Sequence, residues 1–552
     1  MAVPELSSES FSTQAIDHLG LVADQIDQLG LIDLIDNRLP IQGAGSKISM
    51  GERVAGIILN GLGFIDTRLY LFPDFFTKKP LSRLFGREID AAWFNDDSLG
   101  RCLDAISGYG ITKLFTELSF SIAKNKKLLG KSAHFDTTSL QVEGDYANYA
   151  DDCGSQATPA HGYSKSHRFD LKQMILNLAT TGKSNFPIWM EAHSGNSSDK
   201  KILPTAIAKM NALCQQLKEA ESFLYVADSA VYENILQHSE KLKWLSRVPS
   251  TIGVAKKLIS RLDSTLDWFN LSNGYQCHIE LIEYGGIKQR WALIFSEQAY
   301  NREIKTLVKQ IAKAQESLNK TWWHLSNQIF KSEDDAIKAA KLLERKMQYH
   351  KVTYQIIEIK KNERKGRPAK NTQLKTVGYK VEYTLLEDIE KIDSMKKTKG
   401  RFILATNELD ALVLSDSEIL TEYKAQSGVE RGFKFIKDNS FQVDSIFLKT
   451  PHRIEALMML MTLCLMVFGL TQYQIREALV LNNETLPDQR RKPTQKPSLK
   501  WIFFLFLGVQ EITINLEGEI KQMVSNVNDL LKKIISYCGP RAKSIYLNPS
   551  TL

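Results

Sequence analysis

Residues able to hold a cation beside a polyanion stand out in the stretch Leu420-Thr-Glu-Tyr-Lys-Ala-Gln-Ser-Gly-Val-Glu-Arg-Gly-Phe-Lys-Phe-Ile-Lys437. Its pattern predicts a helix in which Tyr423, Glu430 and Lys437 recur every seven residues. Seven steps of about 100° fall ~20° short of two turns, so the three share one face. Val429, Phe433 and Ile436 form a second, apolar stripe able to lie on a sheet. A carboxylate flanked one heptad each way by a phenol and an ammonium suits a metal site beside phosphate. The same residue types also make ordinary solvated ion pairs on helices.

Two further carboxylates lie in strand-like surroundings. Ser132–Val142 is β-prone and carries Asp136 at mid-strand, while Phe223-Leu-Tyr-Val-Ala-Asp228 is a short apolar run that ends on an acid. Strands are also predicted over Leu171–Ala179, Pro187–His193 and Trp244–Pro249. Helices are predicted through Ile202, Ile207, Met210, Leu213 and Leu217, and again from Ser229. Three strands, helix, strand, helix, strand is the order of a ribonuclease-H-like α/β core. In that order the first and fourth strands are parallel neighbours, which brings Asp136 and Asp228 side by side. A lone strand aspartate is usually a local cap, but two on adjacent central strands repel unless a cation bridges them.

The spacing Tyr423-(two)-Gln426-(three)-Glu430-(six)-Lys437 resembles the Y-R-E-K signature of bacterial insertion-sequence transposases. These are DDE enzymes of the insertion sequence four superfamily, and the likeness is to its sixteen-thirty-four-like branch, with Gln426 in place of arginine. It extends from near the amino terminus to beyond the basic segment around Arg490. It includes Gly162-Tyr-Ser-Lys-Ser-His-Arg-Phe-Asp-Leu-Lys-Gln173, Gly195-Asn-Ser-Ser-Asp199 and Ser246-Arg-Val-Pro249. The resemblance implies that Asp136, Asp228 and Glu430 are the catalytic, metal-binding acids, with Mg²⁺ as cofactor and Mn²⁺ able to substitute. Two such ions about 3.5–4 Å apart activate a water and neutralise the leaving alkoxide. Lys437 would grip a phosphate as a point charge, and Tyr423 and Gln426 would be further DNA contacts.

The implied reaction is cleavage at the element's terminal inverted repeats and joining of the 3′ ends to target DNA. The implied partners are both duplexes and a second copy of the chain, or more. Relatives can pass through a DNA hairpin held by the signature tyrosine and arginine. Glutamine hydrogen-bonds a phosphate without pairing ionically, so Gln426 leaves that step open. A catalytically silent DNA-binding derivative and a nuclease without strand transfer are the alternatives.

Length and composition set the frame for these elements. The 552 residues suffice for several cores, and Lys and Arg exceed Asp and Glu by eight (71 against 63), which favours a polyanionic partner. Six scattered cysteines without a Cys-x-x-Cys pair argue against a disulfide framework and a zinc site. The polar, acidic start is unlike a signal peptide, and a bacterial cytoplasmic, nucleoid-associated location is expected. The apolar run Ala456–Leu470 is shorter than the ~20 residues of a membrane span and reads as a buried core helix.

Residues 1–128 read as an all-α domain, a pattern that a helix-turn-helix reader of DNA and any small helical bundle share, and the resemblance implies that it binds the element's ends. Ile16, Leu19, Val22, Ile26 and Leu29 keep a helical period, Ser49-Met-Gly-Glu52 has a capping-box pattern, and Asn95 caps a later helix. The catalytic core is assigned to 129–250 and 399–485, with Arg401–Thr406 as a strand. An inserted α+β domain fills 251–398, and 486–552 forms a tail with no legible role. In the insertion, Lys360–Lys380 holds eight basic residues against one acid, and its Lys365-Gly-Arg-Pro368 resembles a minor-groove hook. Lys365 and Arg367 are therefore candidate DNA contacts. Arg490–Lys500 reads as a basic, proline-bearing linker.

Overall fold

The computed structural model describes residues 11–40, 45–63, 71–144, 146, 157–163, 168–216, 223–361, 375–438, 448, 450–516 and 519–547. The chain divides into two compact units, one of residues 1–246 and 420–552 and one of residues 247–419.

The first unit opens with a strand, β1 (Phe11–Ala15), which corrects the expectation of a purely helical start. Helices follow: α1 (Leu19–Gln28), α2 (Leu31–Asp36), α3 (Met50–Leu62), α4 (Phe72–Thr77), α5 (Leu81–Phe85), α6 (Asp96–Tyr109) and α7 (Ile111–Asn125). The predicted period is the buried one, since Ile16, Leu19, Val22, Ile26 and Leu29 are all core. Both halves of the Ser49–Glu52 capping box form, and the Asn95 side chain accepts the Ser98 N–H at 2.9 Å.

The mixed sheet of this unit comprises β2 (Ser132–Val142), β3 (Lys172–Thr181), β4 (Phe186–Ser194), β5 (Leu224–Ala227) and β6 (Lys243–Arg247), in the order β4-β3-β2-β5-β6. β2, β3 and β4 pair antiparallel, whereas β2–β5 and β5–β6 pair parallel. β3 is buried at nearly every position, so both faces of the sheet are covered. α8 (Asp199–Gln216) packs on β2, β3 and β4, and the short α9 (Tyr232–Ile235) lies between β5 and β6 in the chain.

The second unit contains α10 (Gly253–Ile259) and an antiparallel set of strands, β7 (Phe269–Leu271), β8 (Tyr275–Tyr284) and β9 (Ile287–Ser296). Two helices, α11 (Glu297–Asn327) and α12 (Glu333–Glu344), precede the hairpin of β10 (His350–Lys361) and β11 (Lys375–Glu387). α13 (Ile389–Lys397) leads to β12 (Arg401–Thr406), which pairs antiparallel with β9. One core joins Trp322, Leu325 and Phe330 to Ala336, Ala340 and Val381. This mix of strands and helices is the α+β content expected of the insertion. α11 runs unbroken to Asn327, because no Pro or Gly interrupts it.

The chain leaves that unit along α14 (Asp416–Ala425) and continues through α15 (Ser427–Ile436) and α16 (Pro451–Leu481). α16 is long and apolar enough to cross a membrane, yet it is the central core helix of the first unit. Met458, Leu460, Leu463 and Met466 are fully buried, and it packs on α1, α3, α6, α15 and β4.

Past a short hairpin, β13 (Leu486–Pro487) and β14 (Pro493–Thr494), the tail forms α17 (Leu499–Leu505), β15 (Gln510–Leu516), β16 (Glu519–Ser525), α18 (Asp529–Ser536) and α19 (Pro540–Leu547). β15 pairs antiparallel with β1, Arg83 makes a buried ion pair with Glu511, and Asp24 accepts the N–H groups of Gly539 and Ala542 at 2.9 Å. The tail thus closes the amino-terminal layer.

Candidate active site

The parallel ladder sets Ser132 against Leu224, Ala133 against Tyr225 and His134 against Val226. Continued by two residues, that register sets Asp136 against Asp228, on strands roughly 5 Å apart. β5 ends at Ala227, and Asp228 keeps an extended conformation while its side chain accepts the N–H of Ser229 at 2.6 Å. Asp136 accepts the N–H of Thr137 at 2.8 Å. Each aspartate therefore also makes the local contact that a lone strand acid makes. Asp136 is half-buried and Asp228 exposed, so both reach solvent.

Alternation along β2 turns residues 132, 134 and 136 to one face. Glu422 of α14 meets that face, its carboxylate accepting from the Ser132 hydroxyl, whose oxygen lies 2.9 Å from His134 Nε2. Burial pulls the His134 imidazole down to about 4. It is neutral near pH 7, and its 3.9 Å approach to Glu422 is not an ion pair. α15 packs on β2 and β3 through the predicted stripe, with Val429, Phe433 and Ile436 all buried. Glu430, on the same helix, is exposed.

The predicted single helix through Lys437 is broken. Gln426 separates α14 from α15, its side chain is buried, and its Nε2 donates to the carbonyl of Phe135 at 3.2 Å. That contact turns the amide toward the sheet rather than toward a phosphate at the surface. The interruption puts Tyr423 on α14 and Glu430 on α15, although the Gln426 backbone keeps helical angles (φ −54°, ψ −27°), and Lys437 is the residue capping the end of α15. Gly428 is needed just after the break, since a Cβ there would lie 1.9 Å from Asn185 Oδ1. Lys365 and Arg367 lie outside the described residues.

Among the described residues, no three His, Cys, Asp or Glu side chains gather closely enough to hold a metal ion. Asp136, Asp228 and Glu430 are thus an adjacent pair and a glutamate on a neighbouring helix, not a closed cage. The pair suits a hard divalent cation in donor type, being carboxylate oxygens open to solvent. The two motifs flanking β3 and β4 also meet: the Gln173 amide donates to the Gly195 carbonyl at 2.8 Å, and a Cβ on Gly195 would lie 1.9 Å from the Gln173 carbonyl.

The family comparison bears on this arrangement directly. A model of the transposase DDE domain matches residues 134–467, more than half of the chain and a span enclosing all three acids. The chain belongs to that family. It is a DNA transposase, and a divalent metal and DNA are the cofactor and partner of its class. Residues 11–120 match a domain of unknown function, DUF4277. No curated protein matches the chain. Among solved structures, the piggyBac transposase synaptic complex with hairpin DNA aligns at 10% identity and a TM-score of 0.33, over 84% of this chain and 75% of that one.

In this DDE transposase, sequence reasoning misses the contacts that seat the Glu430 helix. Glu422 has the pattern of a surface acid, and its partner Ser132 lies 290 residues earlier. Gln426 stands out in the sequence only as a departure from arginine. An amide two residues ahead of a glycine, Gly428, is the available signal.

Proposed function

We propose that this transposase cuts the terminal inverted repeats of a bacterial insertion sequence and transfers the freed 3′ ends to target DNA. In this reading it belongs to the insertion sequence four superfamily, in the sixteen-thirty-four-like branch, and its core is ribonuclease-H-like. The observation that carries the reading is the parallel register of β2 and β5, which sets Asp136 against Asp228 beside the helix of Glu430. The strand order β4-β3-β2-β5-β6 is also the one such a core requires.

Asp136 and Asp228 would hold Mg²⁺, with Glu430 completing the ligand set when DNA and metal are present. A bound ion would supply an activated water and charge neutralisation at the leaving oxygen. The chain's own residues do the positioning. β2 and β5 fix the two aspartates by backbone register, and the Gln426 and Glu422 contacts seat the helix that bears Glu430. Lys437 and Tyr423 would hold backbone phosphate near it. The helical segment before β2 would read the element's ends, the basic stretch at Lys365 and Arg367 would add DNA contacts, and the active form would be a dimer or larger on DNA in the bacterial cytoplasm.

The test is strand transfer from a linear substrate with exposed 3′-OH element ends in the presence of Mg²⁺ or Mn²⁺. Joined products support the reading. Cleavage without joining under all conditions would make the protein a nuclease. Because Gln426 is engaged with Phe135, hairpin ends are expected to be scarce on denaturing gels, and abundant hairpins would contradict that part.

A further inference from the structure

The segment read as a basic linker is a built cleft. β13, β14 and the start of α17 enclose about 360 Å³, lined by Arg490, Lys492, Lys496 and Trp501 among others. From Asp488 to Trp501 the chain carries Arg490, Arg491, Lys492, Lys496 and Lys500 against the single acid Asp488. That acid is spent on the turn, its carboxylate accepting the N–H groups of Arg490 and Lys492, each at 2.8 Å. Lys500 pairs with Asp438. Among the described residues, Arg490, Arg491, Lys492 and Lys496 are exposed and none has an acidic partner.

The frame beneath these cations is rigid. Arg476 of α16 donates to the Pro497 carbonyl at 2.8 Å, Gln472 of α16 accepts the Leu499 N–H at 3.0 Å, and Trp501 Nε1 donates to the Pro487 carbonyl at 2.8 Å. Like charges held together without counter-charges repel one another, and a polyanion relieves that repulsion. Arg490, Lys492 and Lys496 line the cleft together, and a polyanion that meets several of them at once relieves more of this repulsion than one small anion.

We propose that this cleft is a DNA-backbone site of the transposase, separate from the acids of β2 and β5. The proposal rests on the transposase reading above. It is tested with the full-length protein and a random-sequence DNA duplex, by fluorescence anisotropy over a series of NaCl concentrations. In the triple variant Arg490→Ala, Lys492→Ala, Lys496→Ala, the slope of log affinity against log salt should shrink by about 2–3 units, at ~0.9 for each phosphate that is no longer neutralised. The charge-preserving Arg490→Lys, Lys492→Arg, Lys496→Arg should keep the original slope. The variant Lys305→Ala, Lys309→Ala, Lys313→Ala, which removes the same charge from the exposed face of α11, should stay near it. If the first triple does not fold, Lys496→Glu alone should still cost about one unit. An unchanged slope, or an equal fall in the α11 variant, overturns the cleft while leaving the transposase reading intact. A wild-type protein with no DNA affinity overturns both.

Discussion

Asp136 and Asp228 are placed by backbone, whereas Glu430 is placed by side chains. The aspartates lie two residues beyond a parallel ladder that pairs Ser132, Ala133 and His134 with Leu224, Tyr225 and Val226, while β3 and β6 pair with the outer edges of the same two strands. Glu430 depends on a helix that starts at a break and is seated by one buried amide and three apolar side chains, with the preceding α14 held by one carboxylate–hydroxyl contact. The difference separates a half of the candidate site held by backbone pairing, the rigid half, from a half held by side-chain contacts, the adjustable half, in what a single substitution can undo.

The largest expected effect on stability comes from loosening the rigid half. Phe135 is fully buried, and its ring lies 6.1 Å from that of Tyr225, joining the two acid-bearing strands from the face opposite Asp136. Phe135→Ala should cost ~3–5 kcal/mol, read as a lower urea midpoint, with cutting lost in parallel.

A pH series sharpens the comparison by reporting the amino-terminal layer instead. Burial pulls His18 down to about 4 from 6.5, reinforced by Lys79 and opposed by the Leu62 carbonyl and by Asp17. Its folded pKa is the lower one, so its contribution to stability is complete above 6.5 and is lost as pH falls toward 4. The loss should approach about 3 kcal/mol. In His18→Gln the urea midpoint should change less over that window, and an unaltered pH dependence would remove His18 as its source.

The smallest expected effect on stability falls on the adjustable half. Gln426→Ala removes the donor to Phe135 and should cost ~1–3 kcal/mol. Cleavage should fall further than that loss explains while gel shifts of duplex DNA persist. Unaltered cleavage would show that the amide does not seat Glu430.

The same contrast governs what the sequence can reveal. The span of β2, the short apolar run of β5 and the burial of α16 follow from local pattern, because hydrophobic period and run length are local quantities. The pairing of Asp136 with Asp228 follows from element order. The seating of Gln426 does not, since the carbonyl its side chain meets lies 291 residues earlier. The tail is illegible for the same reason. Gln510–Leu516 takes its partner from Phe11–Ala15, at the other end of the chain, and the acid of Glu511 is explained only by the buried Arg83. The linker reading of Arg490–Lys500 fails because charge and proline are visible in the sequence while the ties to α16 are not.

The most direct test of the whole account compares Asp136→Asn, Asp228→Asn and Glu430→Gln for cleavage of an end-containing duplex, with a gel shift on the same samples. Each amide keeps shape and removes a charged ligand. All three should bind DNA and lose cleavage by orders of magnitude, and a double variant should be little worse than the worst single, as expected of residues acting together. Near-normal cutting by a folded Glu430→Gln would leave the aspartate pair without its proposed third member, and near-normal cutting by either Asn variant would contradict the account at its centre.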